Sequence, residues 1–202
     1  MKEKFTSLLS RCFEDEAITK TIVNNLESLR FFKAPASTRY HLNVEGGLVQ
    51  HSLSVCDIAM RLREMAVSAN PELEEKLPLR SVILCALLHD ICKAEVYKTT
   101  LRNVKNDATG VWEKKPYYEA DYSYLPLGHG EKSVIRLMAW GVHLTVDEML
   151  AIRWHMGPWE LPMQSYDATG NHSAARDKSP LVSLIQAADN LSSAVFEKNP
   201  EK

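Results

Sequence analysis

The sequence predicts an all-α protein, a helical bundle with one small β-hairpin inserted around residues 95–124. Three observations carry this reading. Apolar residues recur at helical spacing through most of the chain. Residues 79–92, LRSVILCALLHDIC, are apolar around the whole circumference, as a central buried helix is. Only residues 95–124 turn to the Val, Thr, Tyr and Trp composition of strands. The 202 residues are 45% hydrophobic and 25% charged, which is the balance of a globular chain and excludes a disordered or collagen-like one. A net charge of −2 argues against a wholesale nucleic-acid coat or an anionic-membrane binder.

Taken in order, the apolar set Phe5, Leu8, Leu9, Phe13, Ile18, Ile22, Leu26 and Leu29 predicts helix over residues 3–30, broken near Glu14-Asp15-Glu16. Residues 31–47 hold Pro35, Ser37, Thr38, Gly46 and Gly47 and read as a connection. A helix follows from Gly47 to about Val67, stopped by Asn70-Pro71. For residues 79–92 a buried strand competes, but length and Leu/Ala content favour helix. In the hairpin, Asn106-Asp107 and Thr109-Gly110 are the turn candidates. A helix from His129 to about Trp140 ends at Gly141, and Thr145-Val146-Asp147-Glu148 is a capping box opening one that runs to about His155. Residues 157–178 read as a long polar loop. Ser179-Pro180 then starts the final helix, which reaches about Glu197.

The opening MKEKFTSLLSRCFEDEA lacks the apolar core of a signal peptide. No apolar run approaches the roughly 18 residues of a membrane span. Cys12, Cys56, Cys85 and Cys92 form no CxxC pair. Reduced, mostly buried thiols and a cytoplasmic location are the expectation, with no membrane partner.

The chemistry starts from His89-Asp90. These two polar residues end the most apolar helix, and an ionised carboxylate buried without a partner costs several kcal/mol or more. A metal ion resolves that cost, because imidazole and carboxylate together suit a divalent first-row metal. Consecutive helical residues point about 100° apart, so His89 and Asp90 approach one site from adjacent directions. The second oxygen of Asp90 is free to bridge to another metal. Asp189, on the otherwise apolar face of Gln186-Ala187-Ala188-Asp189-Asn190, raises the same desolvation problem.

The order His51, His89-Asp90, Asp189 resembles the signature of the HD-domain superfamily of metal-dependent phosphohydrolases. GGLVQHSLSV resembles its first-histidine segment, ILCALLHDICK its "LLHDIGK" segment, and IQAADNLSS its terminal aspartate segment. The likeness covers roughly residues 45–195. Three matching segments in order are specific where a lone His-Asp dipeptide is not. Cys92 stands where relatives often carry Gly, a packing difference. His129 in LPLGHGEKS and His155 in AIRWHMG resemble the extra ligands of the two-metal branch, and also segments of the HD domain of bacterial 3′→5′ exoribonucleases. The resemblance implies a single HD-type domain over residues 1–202, with 1–45 as N-terminal helices and connection and 46–197 as the metal-binding core. It implies a first metal on His51, His89, Asp90 and Asp189, and a second on His129 and His155, with Asp90 bridging.

The implied activity is hydrolysis of a phosphate monoester or phosphodiester, of a nucleotide or short oligonucleotide, by a metal-bridging hydroxide. Asp90 and Lys93 are the expected catalytic residues. Lys93 lies three residues after Asp90, on nearly the same helical face, and would offset charge on a phosphate oxygen. The expected cofactors are two divalent transition metals, manganese, iron, nickel or cobalt, with magnesium also admitted. His41, His172 and Arg176 are weaker candidates for substrate contact, as are Lys178, Trp159, Tyr166 and the basic face of the hairpin; exposed-loop roles explain them equally well. His143 reads as surface. The segment after His155 is Met156-Gly157-Pro158-Trp159, without the GYP of cyclic-di-GMP phosphodiesterases. Two rivals remain: a di-iron oxygenase of the same superfamily, and an inactive nucleotide-binding module.

Overall fold

The computed structural model describes residues 1–121, 123, 125, 127–157 and 166–197. Two helices open the chain, α1 (Lys2–Ser10) and α2 (Glu16–Ser28), separated at the predicted acidic break. Asp15 caps α2, its side chain accepting from the Ala17 amide at 2.8 Å. Helix α3 (Gly47–Ala69) is followed by a single turn, α4 (Leu73–Lys76), and by α5 (Leu79–Leu88). Every side chain from Ser81 to Leu88 is buried, so α5 is the central helix its composition implied. It packs against α1, α3, α8 (Val146–Arg153) and α10 (Pro180–Leu191). The helix is shorter than residues 79–92: it ends at Leu88, with His89 as its C-cap, and α6 (Lys93–Val96) resumes after a tight turn.

The inserted hairpin pairs β1 (Tyr97–Lys105) with β2 (Trp112–Ala120) antiparallel, with Tyr97 opposite Ala120 and Lys105 opposite Trp112. Its loop closes at the expected turn, where the Gly110 amide donates to the Asn106 carbonyl at 2.8 Å. Arg39 ties the hairpin to the 31–46 connection through a 2.9 Å bond from Nε to the Tyr117 hydroxyl.

Helix α7 (His129–Ala139) leads to α8, whose capping box forms as predicted: Thr145 Oγ1 accepts from the Glu148 amide, and Glu148 Oε2 accepts from the Thr145 amide. Glu148 is fully buried, with Oε1 receiving Arg80 and Ser81.

One expectation is overturned. Residues 166–178, read as part of a polar loop, form α9 (Tyr166–Lys178). Its sequence, YDATGNHSAARDK, has no apolar stripe. Tertiary packing holds it instead, with Ala175 set against Trp154 and Val182. Residues 158–165 of that loop, Trp159 among them, lie outside the described residues, as does the side chain of Tyr166. Beyond α10 the chain widens into a π-helical turn, Ser192–Phe196. All four cysteines are unpaired and buried, and burial pushes the Cys92 thiol up to about 12. No helix among the described residues is long and apolar enough to cross a membrane.

Candidate metal centre

The topology brings to one point residues that are far apart in sequence. His89 caps α5 and Asp90 follows it; His155 comes just after the C-cap of α8; Asp189 sits in the last turn of α10. These three helices therefore deliver their groups from their C-terminal ends. His51, in the second turn of α3, and His129, the first residue of α7, complete the cluster.

Asp90 is at its centre, fully buried. One oxygen, Oδ2, lies 3.3 Å from His89 Nε2 and 3.6 Å from His51 Nε2. The other, Oδ1, lies 3.3 Å from His155 Nε2 and 3.8 Å from His129 Nε2. Asp189 Oδ1 is 3.1 Å from His51 Nε2. The donor atoms of His51, His89 and Asp90 lie within 4.8 Å of one another, as do those of His89, His155 and Asp189, and those of Asp90, His129 and His155.

Among the described residues, the Asp90 oxygens are faced by imidazole nitrogens and by one ammonium, that of Lys93. Carboxylate oxygens and imidazole nitrogens converging in a buried place form a donor set that fits one or two divalent first-row metals.

The second ring nitrogens have defined partners. His89 Nδ1 donates to the Ala86 carbonyl at 2.9 Å, and His155 Nδ1 to the Ile152 carbonyl at 2.7 Å. Both carbonyls lie in the last turn of a helix, where the backbone leaves acceptors unused. These bonds leave each Nε2 lone pair facing the cluster. His51 instead has Nδ1 2.9 Å from Glu197 Oε2.

Electrostatics follow from the crowding. Burial pulls the His51 imidazole down, but its bonds to Asp189 and Glu197 outweigh this and raise it to about 9. Burial opposes ionisation of Asp90, yet Lys93 and His89 hold its carboxyl well below the usual range.

Lys93 places Nζ 2.6 Å from Asp90 Oδ2, so it touches the expected centre through the carboxylate itself. His41 also arrives here. Its ring lies 4.9 Å from that of His51, and burial, His51 and Lys93 lower it to about 4. Gly47 permits this approach, since a Cβ there would sit 2.0 Å from the Leu42 carbonyl that folds the connection onto α3.

The other two loop candidates go elsewhere. His172 is on α9, not in a loop, buried with its ring 5.3 Å from Trp154. Arg176, also on α9, donates from Nε to Ser183 Oγ at 3.3 Å, nearly two helical turns before Asp189. Neither joins the His/Asp groups around Asp90. Glu197, which does join the site, was not among the sequence candidates.

A family model described as HD domain matches residues 48–194. Comparison with curated proteins found no match, and comparison with solved structures found none.

Proposed function

This chain belongs to the HD-domain family, and from that premise we propose that it is a phosphohydrolase that uses two divalent metals to cleave a phosphate monoester or phosphodiester of a nucleotide or short oligonucleotide. The observation that carries the proposal is Asp90: one buried carboxylate whose two oxygens face different histidine pairs. A carboxylate so placed would serve two cation sites. His51, His89, Asp90 and Asp189 would hold the first metal, and His129, His155 and Asp90 the second. Bound there, the metals supply Lewis acidity toward phosphoryl oxygens and activate water near neutral pH.

The chain's own residues do the rest. The Nδ1–H bonds of His89 and His155 fix both rings before any ion arrives. The Asp90 carboxylate holds Lys93 at the edge of the centre, where its ammonium can turn to a phosphoryl oxygen and offset the growing negative charge. His41 packs its ring against that of His51 and closes that side of the centre.

The reading is tested by supplying nucleotides, short oligonucleotides and bis(p-nitrophenyl) phosphate to the metal-loaded chain, with and without oxygen. Phosphate-ester cleavage at the same rate in both atmospheres is expected. Lys93→Ala should lower kcat by about 10²–10³-fold, the usual cost of losing one charge-stabilising donor, at unchanged metal content. Oxygen consumption coupled to turnover would move the chain to the oxygenases of the superfamily. Saturable binding without product would make it a binding module.

A further inference from the structure

We infer that Glu197 is a positioning residue for the first metal: it holds the Nδ1–H of His51 and so aims the Nε2 lone pair into the cluster. The inference rests on the metal-centre reading above and adds to it a residue beyond the matched segment, which ends at 194.

The need for such a residue follows from where His51 sits. His89 and His155 leave the C-terminal ends of their helices and donate to carbonyls that the helix itself leaves unused. His51 lies within α3, where the preceding carbonyls are taken by helical amides. Its Nδ1–H turns instead to a side chain from elsewhere in the chain.

Glu197 meets that need through an irregular backbone. After α10 the chain makes a π-helical turn, and the Glu197 amide donates to the Ser192 carbonyl at 2.9 Å, five residues back. The wider turn brings the carboxylate onto His51, with Oε2 2.9 Å from Nδ1 and the side chain only 5% exposed. The other oxygen is held as well: Ser192 Oγ lies 2.8 Å from Oε1 and 2.7 Å from Ser54 Oγ on α3. π-turns of this kind are frequent at functional sites, and a carboxylate behind a ligating histidine fixes its tautomer and raises its basicity. His41 Nε2, 4.0 Å from Glu197 Oε2, covers the remaining side.

The test uses the full chain with Zn²⁺ as a diamagnetic probe. Wild type, Glu197→Ala and Glu197→Gln are compared by Zn²⁺ titration and by NMR of ¹⁵N-histidine-labelled protein, after circular dichroism has shown that each is folded. Glu197→Ala should bind Zn²⁺ about 10–100-fold more weakly, the range for losing such a partner, and should lose the exchange-protected His51 Nδ1–H resonance. Glu197→Gln, whose amide oxygen can still accept, should keep the resonance and fall between the two in affinity. A purely structural role would give no such rescue. If Glu197→Ala keeps the resonance and binds Zn²⁺ within about twofold of wild type, far inside the range expected for an outer partner, the inference is wrong. A wild type that takes no metal sinks the metal-centre reading instead, and the Nδ1–H resonance then still decides whether Glu197 holds His51.

Discussion

Replacing Asp90 by Ala is expected to remove both metals and abolish phosphohydrolase activity. The two oxygens of Asp90 face both histidine pairs, so its loss takes a ligand from each half of the centre. Loss of an outer-sphere partner weakens metal binding about 10–100-fold, and loss of a shared direct ligand must exceed that. Metal content by mass spectrometry on protein purified without chelator should fall from about two ions per chain, the number a bridged centre holds, to well under one. The variant also leaves Lys93, itself buried, without the carboxylate 2.6 Å from its ammonium. Breaking a buried pair in this way costs about 3–5 kcal/mol, so the metal-free variant should melt below the metal-free wild type. Retention of both ions by Asp90→Ala would refute the bridging role; retention of one would leave a mononuclear site.

Gly130→Ala should have the second large effect, on both stability and metal content. A Cβ at Gly130 would lie 2.4 Å from the Arg153 carbonyl oxygen and 2.9 Å from that of Ile152. These are backbone atoms at the end of α8 and cannot rotate away, so α7 must back off. Overpacking of this kind costs about 1–3 kcal/mol, and in a chain of this size each kcal/mol lowers Tm by about 2–4 °C. The displaced elements carry His129, next to the substituted residue, and His155, whose Nδ1 is bound to the same Ile152 carbonyl. The second metal should therefore be lost before the first, giving close to one ion per chain while His51, His89 and Asp189 still hold theirs. An unchanged melting temperature together with two bound ions would show that α7 and α8 do not pack as described.

Much of this was legible because the signals are local. The apolar run of α5, the Thr145–Glu148 capping box, the turn at Asn106–Gly110 and the acidic break before α2 each lie within a few residues, and each forms. Three of the candidate ligands were legible for a related reason: a polar residue on a fully apolar helix has to be compensated, and His89-Asp90 and Asp189 show that conflict in the sequence itself, whereas His51, His129 and His155 were reached only through the resemblance to HD-domain segments. The failures depended on tertiary context. Helix α9 has no apolar periodicity and is held by Ala175 and His172 against Trp154, so composition alone gave a loop. With that helix formed, Arg176 faces Ser183 and not the cluster. Glu197 depends on a single widened turn. A regular α-helix would set it about 80° away from Asp189 around the axis, and nothing in SSAVFE announces the change.

The ends of α5 and α8 at the centre have an electrostatic consequence. Each peptide unit carries a dipole along the helix axis, leaving partial negative charge at the C-terminus, which favours a cation by about 0.3–1 kcal/mol per helix end. Two negative poles, those of α5 and α8, therefore lie where His89 and His155 are presented. His129 and His51 come instead from the first turn of α7 and the second turn of α3, near the positive poles of those helices. A cation held by His89, Asp90 and His155 would thus be favoured by backbone orientation before any side chain is counted.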